Sequence, residues 1–260
     1  MNIRPAPPPA PPLETRDILG VEVAFETQRE AIARLQRAIA ADDFTPIGFL
    51  NAHVANIACA DPEFRRTLDG FLILADGVGV DMAAKLLHGE SFPANLNGTD
   101  FAPAFLRATR SGLRVGLLGA RRENVEAAAR RLAHIAPGHD YIVFGDGFFS
   151  PDEEAQILAR LKELRPDVLL VAMGVPRQEQ WIAQNLTPDH CIVAMGVGAL
   201  FDFLSGAVPR APHWMRRLRL EWVFRLSLEP ARMWRRYVVG NPLFLARVVI
   251  GKLSGQGQGA

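Results

Sequence analysis

The chain has 260 residues, 49% hydrophobic and 22% charged, with a formal net charge of +1 at pH 7, which is enough apolar material to bury a sizeable core in one or two domains. No uncharged run reaches the length of about 18 residues that a membrane-spanning helix needs; the nearest, Tyr237 to Ile250, is broken by Pro242 and Arg247. The only cysteines, Cys59 and Cys191, lie far apart in apolar surroundings, which excludes a disulfide scaffold and suits buried thiols in a reducing cytoplasm.

In chain order, residues 1–16 carry a Pro-rich run and are expected to form a disordered tail. Short apolar runs then predict strands over Val21 to Ala24, Thr45 to Asn51, Phe71 to Ala75, Arg114 to Gly119, Tyr141 to Phe144, Val168 to Met173 and Cys191 to Gly196. Helical spacing of apolar residues predicts helices over Gln28 to Ala41, Gly79 to Leu87, Asp100 to Arg110, Asn124 to Ile135, Asp152 to Leu164 and Gln178 to Asn185. Strand and helix in near-regular alternation imply an α/β core over residues 17–208, a parallel sheet with helices on both faces.

After Gly206 the strand pattern stops. Val208 to Lys252 carries ten Lys/Arg against two Glu, interleaved with Trp214, Trp222, Phe224, Trp234, Tyr237 and Phe244, while the rest of the chain is correspondingly acidic. Two or three amphipathic helices are expected over residues 209–253, bounded by Pro230 and Pro242, with a second disordered tail over 254–260. Clustered cations beside aromatic and aliphatic side chains suit an anionic membrane surface or a lipid-linked anionic substrate. No zinc-finger or RRM pattern supports nucleic acid as the partner.

Ligands of an open parallel sheet bind at the carboxyl ends of its strands. Four such ends carry glycine-rich turns: Asp76-Gly77-Val78-Gly79, Gly119-Ala120-Arg121-Arg122, Gly174-Val175-Pro176-Arg177-Gln178-Glu179 and Gly196-Val197-Gly198-Ala199. Glycine lets backbone approach a ligand, and helix N-termini offer N–H groups to a diphosphate. Asp76 is the candidate general base, since burial raises a carboxyl toward a useful basicity; capping the helix that begins at Val78 explains it as simply. Asp100, in Asn97-Gly98-Thr99-Asp100, carries the same two readings, and Asn51 and His53 follow a strand that ends near the same place. The chain contains no Asp-x-Asp, HExxH, clustered Cys/His, Walker or GxSxG motif, so no metal site is expected and arginines with helix N-termini are left to stabilise an anionic leaving group. Without GxGxxG at the first strand, a dinucleotide-dependent oxidoreductase is not supported either.

Taken together, Asn51-Ala52, Asp76-Gly77-Val78-Gly79, Asn97-Gly98-Thr99-Asp100, Gly116-Leu117-Leu118-Gly119, Gly174 to Glu179, Gly196 to Phe203, Arg210-Ala211-Pro212, Leu220-Glu221-Trp222, Arg225, Glu229-Pro230 and Arg235-Arg236-Tyr237 resemble the WecG/TagA/CpsF glycosyltransferases, glycosyltransferase family 26, from about Val21 to Leu245. The resemblance implies a Rossmann-like core and a cytoplasmic enzyme, peripheral on the inner face of the membrane. It implies transfer of a sugar, with inversion and without metal or cofactor, from a UDP-sugar to a saccharide on a polyprenyl diphosphate, for a surface polymer or exopolysaccharide. On this reading Asp76 is the base. The backbone around Gly119 and Gly174 to Gln178, including Pro176, holds UDP, with Gln178 and Glu179 near the nucleoside. Asn51, His53, Gly77, Gly79, Asn97, Asp100 and Gly198 line the substrate site. Arg210, Arg225, Arg232, Arg235 and Arg236 meet diphosphate.

Two positions depart from the family pattern. Phe49 stands where many members have Thr, and Asn95 where many have Arg, so glucose, glucuronic acid and N-acetylmannosamine all remain donor candidates. The rival expectation is a noncatalytic, UDP-sugar-binding scaffold at the membrane. The pattern is compatible with a homo-oligomer.

Overall fold

A computed structural model describes residues 12–212, 214–215 and 220–254, without the Arg232 side chain. The expected tails therefore lie mainly outside the described residues. Thr15 and Arg16, expected in the first tail, instead form strand β1 (Thr15–Asp17) against β2 (Glu22–Ala24). The pairing is held by Thr15 bonding Glu22 and by Arg16 stacking 4.3 Å over Phe25 and bridging Glu90 at 2.6 Å. β2 is thus one arm of an antiparallel pair and no part of the main sheet.

The main sheet has six parallel strands: β3 (Thr45–Leu50), β4 (Leu72–Ala75), β5 (Arg114–Gly119), β6 (Asp140–Gly145), β7 (Val168–Ala172) and β8 (Val193–Gly196), in the order β4-β3-β8-β7-β5-β6. Alternate side chains serve opposite layers, as the period of two requires. Val168 and Leu170 face one core with Ile47, Val115 and Met195, while Leu169 and Val171 face the other side with Leu118 and Ala194. All five residues of β7 are buried, the mark of a strand covered on both faces.

Helices α1 (Gln28–Ala41), α5 (Gly98–Ala108), α6 (Arg122–Ile135) and α9 (Leu200–Ser205) cover the first face, and α2 (Ala52–Ala60), α3 (Pro62–Leu68), α4 (Val78–His88), α7 (Pro151–Leu164) and α8 (Arg177–Asn185) the second. Local chemistry starts them. Thr27 with Glu30, and Ser150 with Glu153, form reciprocal capping boxes on α1 and α7. Helices α2 and α3 were not predicted from periodicity, but Asn51 caps one and Asp61 with Pro62 starts the other.

Beyond α9 come α10 (Glu221–Leu228), α11 (Pro230–Trp234), a π-helical turn (Arg235–Val239) and α12 (Gly240–Leu253). Pro230 opens α11, and Pro242 marks the start of the last helix rather than the end of the one before it. It sits in the first turn of α12, where a missing N–H is tolerated. α12 packs against the core: Phe244 and Val248, both fully buried, complete the second core with Val54, Val80 and Ala83. Asn56 of α2 binds Gly240 O at 2.7 Å and receives Arg247 on its Oδ1 at 2.8 Å, tying α12 to the sheet layer. No described helix is long and apolar enough to cross a membrane.

Candidate functional site

A cavity of about 930 Å³ opens at the carboxyl ends of β3, β4, β5, β7 and β8 and is roofed by α10, the π turn and α12. Its floor begins with Asn51, the residue between β3 and α2. The Asn51 side chain accepts the N–H groups of His53 and Val54 on Oδ1, at 3.1 and 3.2 Å, and donates Nδ2 to Asp76 Oδ2 at 3.0 Å. Asp76 does not cap α4: Gly77 is the N-cap and no side chain bonds there. Burial pushes the Asp76 carboxyl above the ordinary range, opposed by Asn51, then Arg236 and Arg225. A carboxylate held beside cations yet raised by burial is equipped to take a proton from a bound hydroxyl.

Carboxamides continue the floor. Asn95 Oδ1 accepts Gly77 N at 2.7 Å, and Asn97 caps α5 while donating Nδ2 to Asp100 Oδ2 at 3.1 Å. Phe49 lines the same wall and packs edge-on to Phe101 with centroids 6.2 Å apart. A Cβ on Gly98 would come within 2.9 Å of the Phe49 ring, so the aromatic fits here only because residue 98 has no side chain. Further along, the Gln178 Oε1 gathers the N–H groups of Gly174 and Gly198, at 3.2 and 3.1 Å, and stitches the turns after β7 and β8 together.

The roof is basic and aromatic. Arg225 and Arg236 line the cavity with Trp222 and Tyr237, whose rings lie 5.9 Å apart, and Arg236 stacks 5.5 Å from Tyr237.

The structure brings Asn51, Asp76, Gly77, Gly79, Asn97, Asp100, Gly174, Gln178, Glu179, Gly198, Arg225 and Arg236 onto one cavity. Five other expected residues do not line it. His53 is half-buried outside the lining, where burial followed by the charge of Arg236 pushes its imidazole down to about 4. Gly119 is structural: a Cβ would stand 2.3 Å from Ala172 O, so the glycine permits β5 and β7 to close up at φ 124°. Pro176 is the N-cap of α8 and leaves the lining to Val175 and Arg177. Arg210 is drawn off by an ion pair with Asp100 at 2.9 Å, and Arg235 projects outward beside Trp234. The Arg232 side chain lies outside the described residues.

Sequence reasoning passed over Gly147 and Phe148, and it gave no site role to Asp202 and Phe203 within the Gly196 to Phe203 segment; all four also line the cavity. The strand-end rule finds the first two if it is applied to β6. Phe148 is 74% exposed, on a loop pinned by Arg177 to Gly147 O and by Asp146 to Phe148 N, both at 2.8 Å. Phe203 stands beneath Arg210 and Arg225, at 5.7 and 5.6 Å.

Comparison with known proteins adds two findings. Residues 16–258 match the model of the "Glycosyl transferase WecG/TagA/CpsF family". The chain is similar to proteins named N-acetylglucosaminyldiphosphoundecaprenol N-acetyl-beta-D-mannosaminyltransferase: 33% identical over 203 residues to that of Bacillus spizizenii, covering 76% of each chain, and 31% over 194 residues to that of Bacillus subtilis, covering 73% of each. Similarity to the Staphylococcus aureus protein is 28% over 240 residues, covering 91% of this chain and 92% of the relative.

Proposed function

Because this chain belongs to the WecG/TagA/CpsF glycosyltransferase family, we propose that it moves a sugar from a UDP-sugar to a hydroxyl of a saccharide carried on a polyprenyl diphosphate. The observation that carries the reading is the opposition, across one cavity, of Asp76 and the arginines Arg225 and Arg236. Asp76 takes the proton of the acceptor hydroxyl as its oxygen bonds to the anomeric carbon. The bond from that carbon to the diphosphate breaks on the opposite face, UDP leaves, and configuration inverts. Arg225 and Arg236 meet the charge that develops on the departing diphosphate, the role that a bound cation fills elsewhere, so the reaction is expected to need no metal.

A lipid-linked acceptor fits the outer surface of the C-terminal helices. Trp234, Val239, Leu243, Ile250 and Leu253 are exposed there, with Arg235 beside Trp234. Basic residues near anionic lipid add about 1 kcal/mol each. The test is UDP release from a panel of UDP-sugars in EDTA, with and without a polyprenyl-diphosphate-linked saccharide. Acceptor-dependent release in chelator supports the reading. UDP binding without turnover on any pair would replace it with the membrane scaffold.

A further inference from the structure

β4 is an edge strand of the main sheet, and α4, which follows it, walls the cavity there with Val78 and Met82; Leu245 of α12 lines the same cavity, with Val238 and Pro242. Val78 and Met82 are also 37% and 52% exposed, so the cavity meets solvent along α4. Leu86, one turn beyond Met82 on the same face, is exposed as well. Helix α4 therefore carries an apolar stripe at every fourth residue, about 12 Å long, that begins in the cavity and ends outside it. A second helix borders the stripe. A Cβ on Gly79 would lie 3.7 Å from the Phe244 ring, and Lys252 Nζ donates to Leu86 O at 2.6 Å, so α4 and α12 run side by side in one direction. Leu245 and Lys252 share the flank of α12 that borders α4, and the exposed Val249 between them extends it. Arg247 faces the other way, toward Asn56 of α2, and places Leu243 and Ile250 on the far flank.

Continuity with the cavity identifies what the stripe meets. Its occupant reaches the cavity with one end, where Arg225 and Arg236 select an anion, and lies on aliphatic side chains with the other. A nucleotide or a free sugar is polar along its whole length, and a folded protein surface cannot follow the stripe inside. A prenyl diphosphate has both ends. We infer that the seam of α4 and α12 carries the first isoprene units of the polyprenyl chain of the acceptor, an assignment that rests on the transferase reading and deepens it. The outer face of the C-terminal helices then meets the bilayer, while the chain of the one lipid in use leaves the cavity along α4. Covering its methylenes with Met82, Leu86, Leu245 and Val249 stabilises the complex in proportion to the apolar area removed from water. The same contact fixes the diphosphate beneath the arginines of the roof.

Chain length is the readout that separates this contact from the charge of the diphosphate. The full-length protein is titrated calorimetrically with isopentenyl diphosphate and with farnesyl diphosphate, which share a headgroup and differ only in the length of the isoprenoid chain. The expected result is an affinity at least about tenfold higher for the farnesyl compound. Met82→Ser combined with Leu86→Ser, both at exposed positions, should remove most of that advantage, and Leu243→Ser combined with Ile250→Ser should keep it. Equal affinity of the wild type for the two diphosphates overturns the inference, as does an advantage that survives the α4 pair. An equal loss from the Leu243 and Ile250 pair overturns it too, by assigning the chain to the membrane-facing surface at large. Acceptor-dependent UDP release by the wild type is measured beside the titrations. With release present, those outcomes overturn the inference alone; with release absent for every UDP-sugar and every saccharide diphosphate offered, the transferase reading falls with it. Should the serine pair melt early, Met82→Gln with Leu86→Gln is read in the same way.

Discussion

Asn51 holds Asp76 with one end of its carboxamide and the start of α2 with the other: Nδ2 donates to Asp76 Oδ2 at 3.0 Å while Oδ1 takes two helix N–H groups. The cap dictates which face of the amide the carboxylate meets, so the proposed base is oriented by the same residue that begins the helix. Asp76→Asn keeps an oxygen for that bond and removes only the proton acceptor. It is expected to lower kcat by at least about 10², with UDP affinity and melting temperature unchanged, as measured by UDP release and calorimetry. A loss below tenfold would assign proton removal to another group.

Arg235 and Arg236 are neighbours in one π-helical turn, yet only Arg236 lines the cavity. Arg236→Ala is expected to lower kcat/KM by about 10- to 100-fold, the loss of a charge-assisted contact. Arg235→Ala should leave turnover of a short-chain, water-soluble acceptor within about twofold, as befits an exposed charge. Steady-state kinetics on the pair decide it; equal losses would contradict the observed division.

Gly119→Ala should act on folding, although the residue ends a strand beside the cavity. The new Cβ would meet Ala172 O at 2.3 Å in a backbone region that L-residues avoid. A destabilisation of about 3 kcal/mol or more is expected in urea unfolding. Normal stability with weakened UDP binding would return Gly119 to the ligand.

The buried Glu179 and the half-buried His53 give opposing pH dependences. His53 titrates at about 4 in the fold against an ordinary 6.5, so the folded state binds fewer protons and stability rises with pH between about 4 and 6.5. Glu179 titrates at about 7 against an ordinary 4.5, so its contribution is whole below about 4.5 and is lost as pH rises to about 7. The Glu179 shift amounts to about 3 kcal/mol over its window, and that of the half-buried His53 to less, because solvent screens it. They offset one another in the wild type. Glu179→Gln should therefore gain stability more steeply from pH 4.5 to 7 than wild type does, and His53→Gln should lose stability over the same range. Parallel melting curves for all three proteins across that range would refute both assignments.

Phe244 is fully buried against α2 and α4, and a Cβ on Gly79 would lie 3.7 Å from its ring. Phe244→Ala is expected to cost about 3–5 kcal/mol. Removing everything after Val208 strips the same core, so the truncated chain should aggregate or melt early. A soluble, cooperatively melting truncation would show that α12 is dispensable for the fold.

Periodicity and caps were legible because they are local. The five fully buried residues of β7, the capping boxes of α1 and α7, and glycine-rich turns after predicted strands all reflect burial and hydrogen bonding within a few residues. Together with the rule that parallel sheets bind ligands at their carboxyl ends, they were enough to bring forward Asp76, Gly174, Gln178 and Gly198. Strand order, the antiparallel pairing of Thr15–Asp17, the capture of Arg210 by Asp100, the seating of Phe244 under α4 and the separate fates of Arg235 and Arg236 were decided by tertiary structure. A basic, aromatic stretch of sequence records only that cations and rings are present. Which cation reaches the cavity and which reaches solvent depends on helix phase and on partners far away in sequence, 110 residues for Arg210 with Asp100 and 191 for Arg247 with Asn56, set when the cores close.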